Sequence, residues 1–392
     1  MKKKIRRNFP RLARCLKKQC PQRSKKPCWL FGAPSLLPGL NIHGYFLSEI
    51  GLGESARLIY SALETQNIKI SACNRYLKAR ENDQTFCGKL NTSAPHKASL
   101  SIDGLYGFRR LFSKVCKHKY NVAYPFLDLE TCSKQYLGYL SKFDRIWAPS
   151  SFIFESLRQH GVGNIDLVKQ PIRMPSVTPD FTLSADALRI LFFFDFDSFS
   201  SRKNPEAVIS AFQIAFPKNE DVKLTVKTRG QRDDGRRAWL AKQAFLDSRI
   251  TIIDEILSRV GMELLIARHD VFLSLHRSEG LGMGCAEALL AGKVVVATNY
   301  GGSTDFVNEK TGFPVDWNRI SVGRGDYVLA DGATWADPFV EHAAVQLRTI
   351  YDEPTNASLK AENGFRHLEQ NNSFKVIGSQ MCSLLQRDVL ID

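Results

Sequence analysis

The sequence predicts an α/β protein built from two doubly wound domains. Three observations lead there. At 392 residues the chain exceeds what one hydrophobic core usually serves. Short apolar runs alternate with stretches of helical spacing, the mark of parallel sheets covered by helices on both faces, and no internal repeat is present. The segment PIRMPSVTPDFTLSADA carries three prolines and no sustained period, and reads as an interdomain linker near the middle of the chain. The expected divisions are a basic leader over 1–30, a Rossmann-like first domain over 36–170, a linker over 171–188, a Rossmann-like second domain over 189–365, and a terminal helix over 366–392 that packs back toward the first domain.

In the first half, an apolar patch over 40–46 runs into SEIGLGESARLIYSALE, a glycine-bearing turn followed by an amphipathic helix. Strand patterns follow at YNVAYPFL and FDRIWAP, and a helix starts at Ser151. The second half opens with ILFFFDFD, a continuous apolar run suited to a central parallel strand buried on both faces. A helix is predicted from Pro205 with Asn204 as its N-cap. Further strands are KLTVKT, RITIID, DVFLSL and KVVVAT.

The net charge of +14 suggests nucleic acid until its location is considered. Residues 1–30 hold twelve Lys or Arg and no acid, which leaves 42 basic against 40 acidic residues elsewhere. The body is nearly neutral, which argues against a broad phosphate-tracking surface for nucleic acid. The leader spaces Phe9, Leu12, Leu16 and Cys20 at helical intervals among cations, which fits an anionic membrane surface as partner through residues 1–28. Pro10 and Pro21 shorten any helix there, and a disordered basic tail is the equal alternative, with RNA contact a distant third. It lacks the apolar core and cleavage site of a secretory signal peptide. The nine cysteines are scattered without a CxxC pair, which argues against a disulfide framework or zinc site and for a reducing cytosol. No apolar run reaches the length of a spanning helix.

The chemistry concentrates after the strand DVFLSL. Ser278-Glu279-Gly280-Leu281-Gly282-Met283-Gly284 places three glycines before a helix that carries Glu287. Glycines permit close backbone approach, and a helix start offers unpaired N–H groups to an anion such as a pyrophosphate. Glu279 sits at the carboxyl end of its strand, where open α/β sheets bind ligands. A strand-to-helix turn with two solvated glutamates is the plain alternative. Arg202 and Lys203, in the loop after ILFFFDFD, belong to the same strand-end edge. Two cations there can offset a departing diphosphate; taken alone, they are an ordinary solvated face.

The Glu279…Glu287 pair at E-x7-E spacing, FDFDSFSSRKNPEAVISAF, TNYGGSTDFVNEKTGFPV and EIGLGESAR together resemble glycosyltransferase family 4, from about Asn41 to the C-terminus. The resemblance implies the GT-B fold, retention at the anomeric carbon, a nucleotide-diphosphate sugar donor and no required metal or other cofactor. It also implies a glycan or lipid-linked acceptor, with cell-surface polysaccharide or lipopolysaccharide synthesis and a mannose-type hexose as the setting. On it, Glu279 is expected at the donor sugar, with the backbone of Gly280, Leu281, Gly282 and Met283 on sugar and phosphate, and Glu287 on the ribose. Arg202 and Lys203 correspond to the diphosphate cations, Gly51 and Gly53 to a loop that approaches the phosphates, and Lys227 is a further donor candidate.

The first domain is expected to carry the acceptor. Asp128, within AYPFLDLE, is the candidate contact, with a helix-capping acid as the alternative. His43 is open between site and loop. The Asp195-Phe196-Asp197 triplet offers a metal-holding alternative that the adjacent cations make redundant. A nucleotide-sugar epimerase of similar fold and a non-catalytic sugar-binding protein are the competing classes; for the latter, keeping both glutamates and both cations serves no purpose.

Overall fold

The structure, a computed structural model, describes residues 36–391 apart from 78–82, 92, 112–118, 185, 218–220, 233–234 and 389. The leader, with the membrane expectation attached to it, lies outside the described residues.

The first domain runs β1 (Leu37–Gly44), α1 (Gly51–Glu64), β2 (Ile70–Asn74), β3 (His96–Gly104), α2 (Leu105–Leu111), β4 (Tyr120–Phe126), α3 (Lys134–Leu140), β5 (Arg145–Ala148), α4 (Ser151–Gln159) and β6 (Ile165–Leu167). Its six parallel strands lie in the order β2-β1-β3-β4-β5-β6. Sequence patterning missed β3, because Ser99, Ser101 and Asp103 interrupt its apolar residues. Ser99 and Asp103 are tolerated inside the sheet because they are paired, Ser99 Oγ accepting from Asn41 Nδ2 at 3.2 Å. Asn41 Nδ2 donates to the carbonyls of His96 and Ala98 at 2.8 and 2.7 Å where β1 and β3 slip register, and Asp103 pairs with Arg75 and Tyr45.

The second domain runs β7 (Leu188–Asp195), a helical turn α5 (Ser200–Lys203), α6 (Pro205–Ala215), β8 (Val222–Arg229), α7 (Arg236–Leu246), β9 (Ile250–Asp254), α8 (Arg259–Ala267), β10 (Val271–Ser274), α9 (Met283–Leu290), β11 (Val294–Thr298) and β12 (Phe313–Val315). The strand order β12-β11-β10-β7-β8-β9 is that of a Rossmann sheet, with its switch point between β7 and β10. β7 is buried on both faces: Phe192 and Phe194 enter one core and Leu191 the other. Asn204 does not cap α6 as expected. It is left-handed, with φ 54° and no capping side-chain bond, because it already closes the turn α5.

A hairpin the sequence did not reveal follows: β13 (Trp317–Ser321) and β14 (Thr334–Pro338) are antiparallel. Its side chains Trp335, Ala330 and Ala333 pack on Leu129 of the first domain. Then come α10 (Val340–Asp352), α11 (Pro354–Asn372) and α12 (Phe374–Arg387). The last returns to the first domain, where Ile377, Met381 and Leu385 join the core of α1 and β1–β4. Gly378 allows this approach, since a Cβ there would lie 2.3 Å from the Ala62 carbonyl oxygen.

Among the described cysteines, Cys73, Cys132, Cys285 and Cys382 are free thiols, whereas Cys87 is disulfide-bonded, which the scattered spacing did not announce. No helix among the described residues is long and apolar enough to cross a membrane.

Candidate functional site in the interdomain cleft

The switch point of the second sheet brings together what the sequence separates by 76 residues. The loop after β7 carries Arg202 and Lys203, and the loop after β10 carries Glu279. Lys203 Nζ pairs with Glu279 Oε1. Arg202 Nη1 lies 3.0 Å from Glu279 Oε2 and donates to the Ser278 carbonyl at 2.8 Å. Burial alone would push the Glu279 carboxyl up, but Arg202 and then Lys203 overcome it and hold it well below the usual carboxylate range. Burial likewise works against the Arg202 charge, and Asp128 and Glu279 outweigh it. Arg202 is thus committed to protein partners, while the Lys203 side chain remains 20% exposed.

The glycine turn is shaped by close approach. A Cβ on Gly280 would lie 2.4 Å from the Leu127 carbonyl oxygen, so the first domain meets the second at backbone distance here. Gly282 takes φ +80° and ends the turn, after which Met283 starts α9. Leu281, Met283 and Glu287 line a solvent-open pocket between the domains, which Glu54 of α1 and Arg259 of α8 also line. Burial raises the Glu287 carboxyl; Arg259 Nη1, 2.8 Å away, opposes this and Glu54 adds to it. Glu279 and Glu287 therefore have different partners, the first Arg202 and Lys203 and the second Arg259 beside the pocket.

Asp128 caps no helix. Its Oδ1 accepts from the Gly280 amide at 2.9 Å, its Oδ2 from the Tyr327 hydroxyl at 2.7 Å, and Arg202 Nε lies 3.5 Å from Oδ2. The adjoining turn adds Ser150 Oγ to the Gly280 carbonyl at 2.6 Å and the Ser151 amide to Asp305 Oδ2 at 2.9 Å.

The other candidates are dispersed around this centre. Gly51 and Gly53 open α1, with Gly53 set against the Ser48 carbonyl. His43 is buried near the end of β1, not in a loop. Lys227 is buried on β8 in register with Phe193, and burial followed by Arg229 lowers its pKa. The Asp195 and Asp197 carboxylates are occupied by protein donors: Arg229 at 3.0 Å from the first, and the Gln231 and Arg232 amides on the second. Among the described residues no group of three or more His, Cys, Asp or Glu is arranged to hold a metal.

Sequence reasoning missed Tyr327, Glu54 and Arg259. Glu54 stood inside the EIGLGESAR motif and only its glycines drew notice; Tyr327 and Arg259 carried no local signal, since their partners are 199, 205 and 28 residues away.

Residues 191–321 match a family model described as glycosyl transferases group 1. No curated protein matches the chain in sequence. Among solved structures, TarM of S. aureus is similar at 14% identity and TM-score 0.57, over 73% of this chain and 55% of that one, so the chain spans about half of TarM. Anabaena HepE, solved with UDP and glucose, is similar at 13% identity and TM-score 0.62, over 90% of this chain and 100% of that one. Sucrose-phosphate synthase from Thermosynechococcus elongatus is similar at 14% identity and TM-score 0.66, over 90% and 99%. The family match is confined to residues 191–321, about a third of the chain, and the two facing Rossmann-like domains have the GT-B fold that these solved structures share.

Proposed function

We propose that the chain is a retaining, metal-independent glycosyltransferase that moves a hexose, of mannose type, from a nucleotide-diphosphate sugar to a glycan or lipid-linked acceptor in cell-surface polysaccharide or lipopolysaccharide synthesis. The enzyme works on the inner face of the membrane, held there by residues 1–28. One observation carries the reading: Lys203 after β7 and Glu279 after β10 meet at the switch point of a Rossmann sheet, beside the N-terminus of α9.

In this reading, Lys203 and the unpaired amides of α9 offset charge that grows on the leaving diphosphate. Glu279 faces the donor sugar, and Glu287 accepts hydrogen bonds from the ribose hydroxyls. Gly280, Leu281, Gly282 and Met283 offer backbone to sugar and phosphate, while Gly51 and Gly53 approach from the first domain and Lys227 adds charge from β8. Arg202 acts through Glu279, which it holds ionised and in place. The acceptor hydroxyl is brought near the anomeric carbon on the side of Asp128. With no protein nucleophile assigned, a donor phosphate oxygen assists removal of the acceptor proton in a front-side displacement.

A panel of nucleotide sugars, UDP-glucose and GDP-mannose among them, scored for thermal stabilisation and for hydrolysis in excess chelator, tests this. One donor should stabilise the protein and be turned over. Binding by none of them sinks the reading; activity lost in chelator and restored by magnesium or manganese sinks its metal-independent form.

A further inference from the structure

Arg259 opens α8, and its guanidinium touches three carboxylates from three parts of the molecule. Nη1 lies 2.8 Å from Glu287 Oε1 on α9 and 3.5 Å from Glu54 Oε1 on α1 of the first domain. Nε lies 2.8 Å from Glu263 Oε1, one turn along α8. Glu263 is tied in turn to the segment that joins the domains, since its Oε2 accepts from the Ser176 amide at 3.0 Å and from the Ser176 hydroxyl. Glu54 is also braced by Arg57 at 3.0 Å. Glu54, Arg259 and Glu287 all line the interdomain pocket.

We infer that Arg259 is a positioning residue that makes nucleoside-diphosphate affinity depend on where the first domain stands, because one nitrogen orients Glu287 and also grips Glu54. The inference rests on the assignment of Glu287 to the ribose. A carboxylate with 23% of its side chain exposed needs a counter-charge, and Arg259 is the one within 4 Å among the described residues. Drawing Glu54 away re-aims that nitrogen, while the Nε edge stays anchored to Glu263 and the linker. Linkage makes the effect reciprocal: a ribose that fixes Glu287 favours the closed placement of the first domain. Lysine cannot substitute, because a single ammonium does not hold both edges of this arrangement.

Calorimetric titration of the full chain with UDP, GDP and ADP, for wild type, Glu54→Gln, Arg259→Lys and the double variant, tests the coupling. Arg259 is 36% exposed, so water screens the contact and the effect is modest. Glu54→Gln should weaken the bound nucleotide about five-fold, near the lower end of usual couplings. Arg259→Lys should weaken it more, and the double variant should match Arg259→Lys, since Glu54 acts through the arginine. With Glu54→Gln the donor KM should rise while kcat at saturating donor stays within about two-fold, a split that general loosening of the fold does not produce. Unchanged nucleotide affinity in Glu54→Gln, or losses that add in full, overturns the coupling and leaves the proposed function standing. If wild type binds none of the three nucleotides, the ribose assignment falls and the inference falls with it.

Discussion

The Asp128 carboxylate of the first domain accepts a hydrogen bond from the Gly280 amide of the second at 2.9 Å. A glycine-turn amide suited to an anion is thus held by an anion the protein itself supplies, and the same carboxylate faces Tyr327 and the buried Arg202.

Asp128→Ala should therefore lower the thermal midpoint. It strips a counter-charge from Arg202 and leaves the Tyr327 hydroxyl unpaired, and such losses cost about 1–3 kcal/mol. Asp128→Asn keeps an acceptor for Gly280 and should be milder. Equal melting of Asp128→Ala and wild type would show that this contact contributes nothing to domain closure.

Acid should separate the two glutamates. Glu279 is depressed, so its contribution is present above the ordinary carboxyl value of 4.5 and is lost as pH falls through the lower folded value. Glu287 is raised, so relative to the unfolded chain it favours folding below 4.5 and gives that up as pH rises through its folded value. Nucleoside-diphosphate binding that uses ionised Glu287 should weaken on acidification before the fold does. Titrations and melting curves on one pH series check the order; loss of both at the same pH would contradict it.

Lys203, Glu279 and Glu287 should divide their labour. Lys203→Ala removes charge stabilisation that grows as the leaving group departs, and turnover should fall by about 10²–10³. Glu279→Gln should also lower turnover. Glu287→Gln should instead raise the donor KM and weaken free nucleoside diphosphate, because donor and product share the ribose. Steady-state kinetics with calorimetry distinguishes these patterns, and wild-type transfer by Lys203→Ala would require abandoning the site.

Removing residues 1–28 should weaken binding to anionic liposomes while the body stays folded, and full-length binding should fall as salt rises. The motive is twelve cations among the first thirty residues. Co-sedimentation that is equal with and without the leader would defeat the membrane role.

Much of the second domain was legible because its strands are buried on both faces. ILFFFDFD and KVVVAT announce themselves by composition, and the E-x7-E pair spans a turn and a helix start that local chemistry specifies. In the first domain, β3 hid behind its serines and Asp103, and Ser99 and Asp103 become acceptable only once Asn41, Tyr45 and Arg75 arrive from elsewhere to pair them. The hairpin β13–β14 escaped notice for a related reason: its apolar residues find their partner in Leu129, nearly two hundred residues upstream.

By itself, then, the sequence determined the α/β class, the helix and strand character of most elements, and the residue types at the second sheet's edge, because periodicity, glycine placement and strand burial are properties of neighbouring residues. Only the tertiary structure decided that Arg202 faces Glu279, that Asp128 meets Gly280 rather than capping a helix, and that Arg259 joins Glu54 to Glu287. Those pairings are set by strand order and domain closure. They bring charges together across distances along the chain that no local pattern records, and the desolvation of each charge makes its particular partner matter.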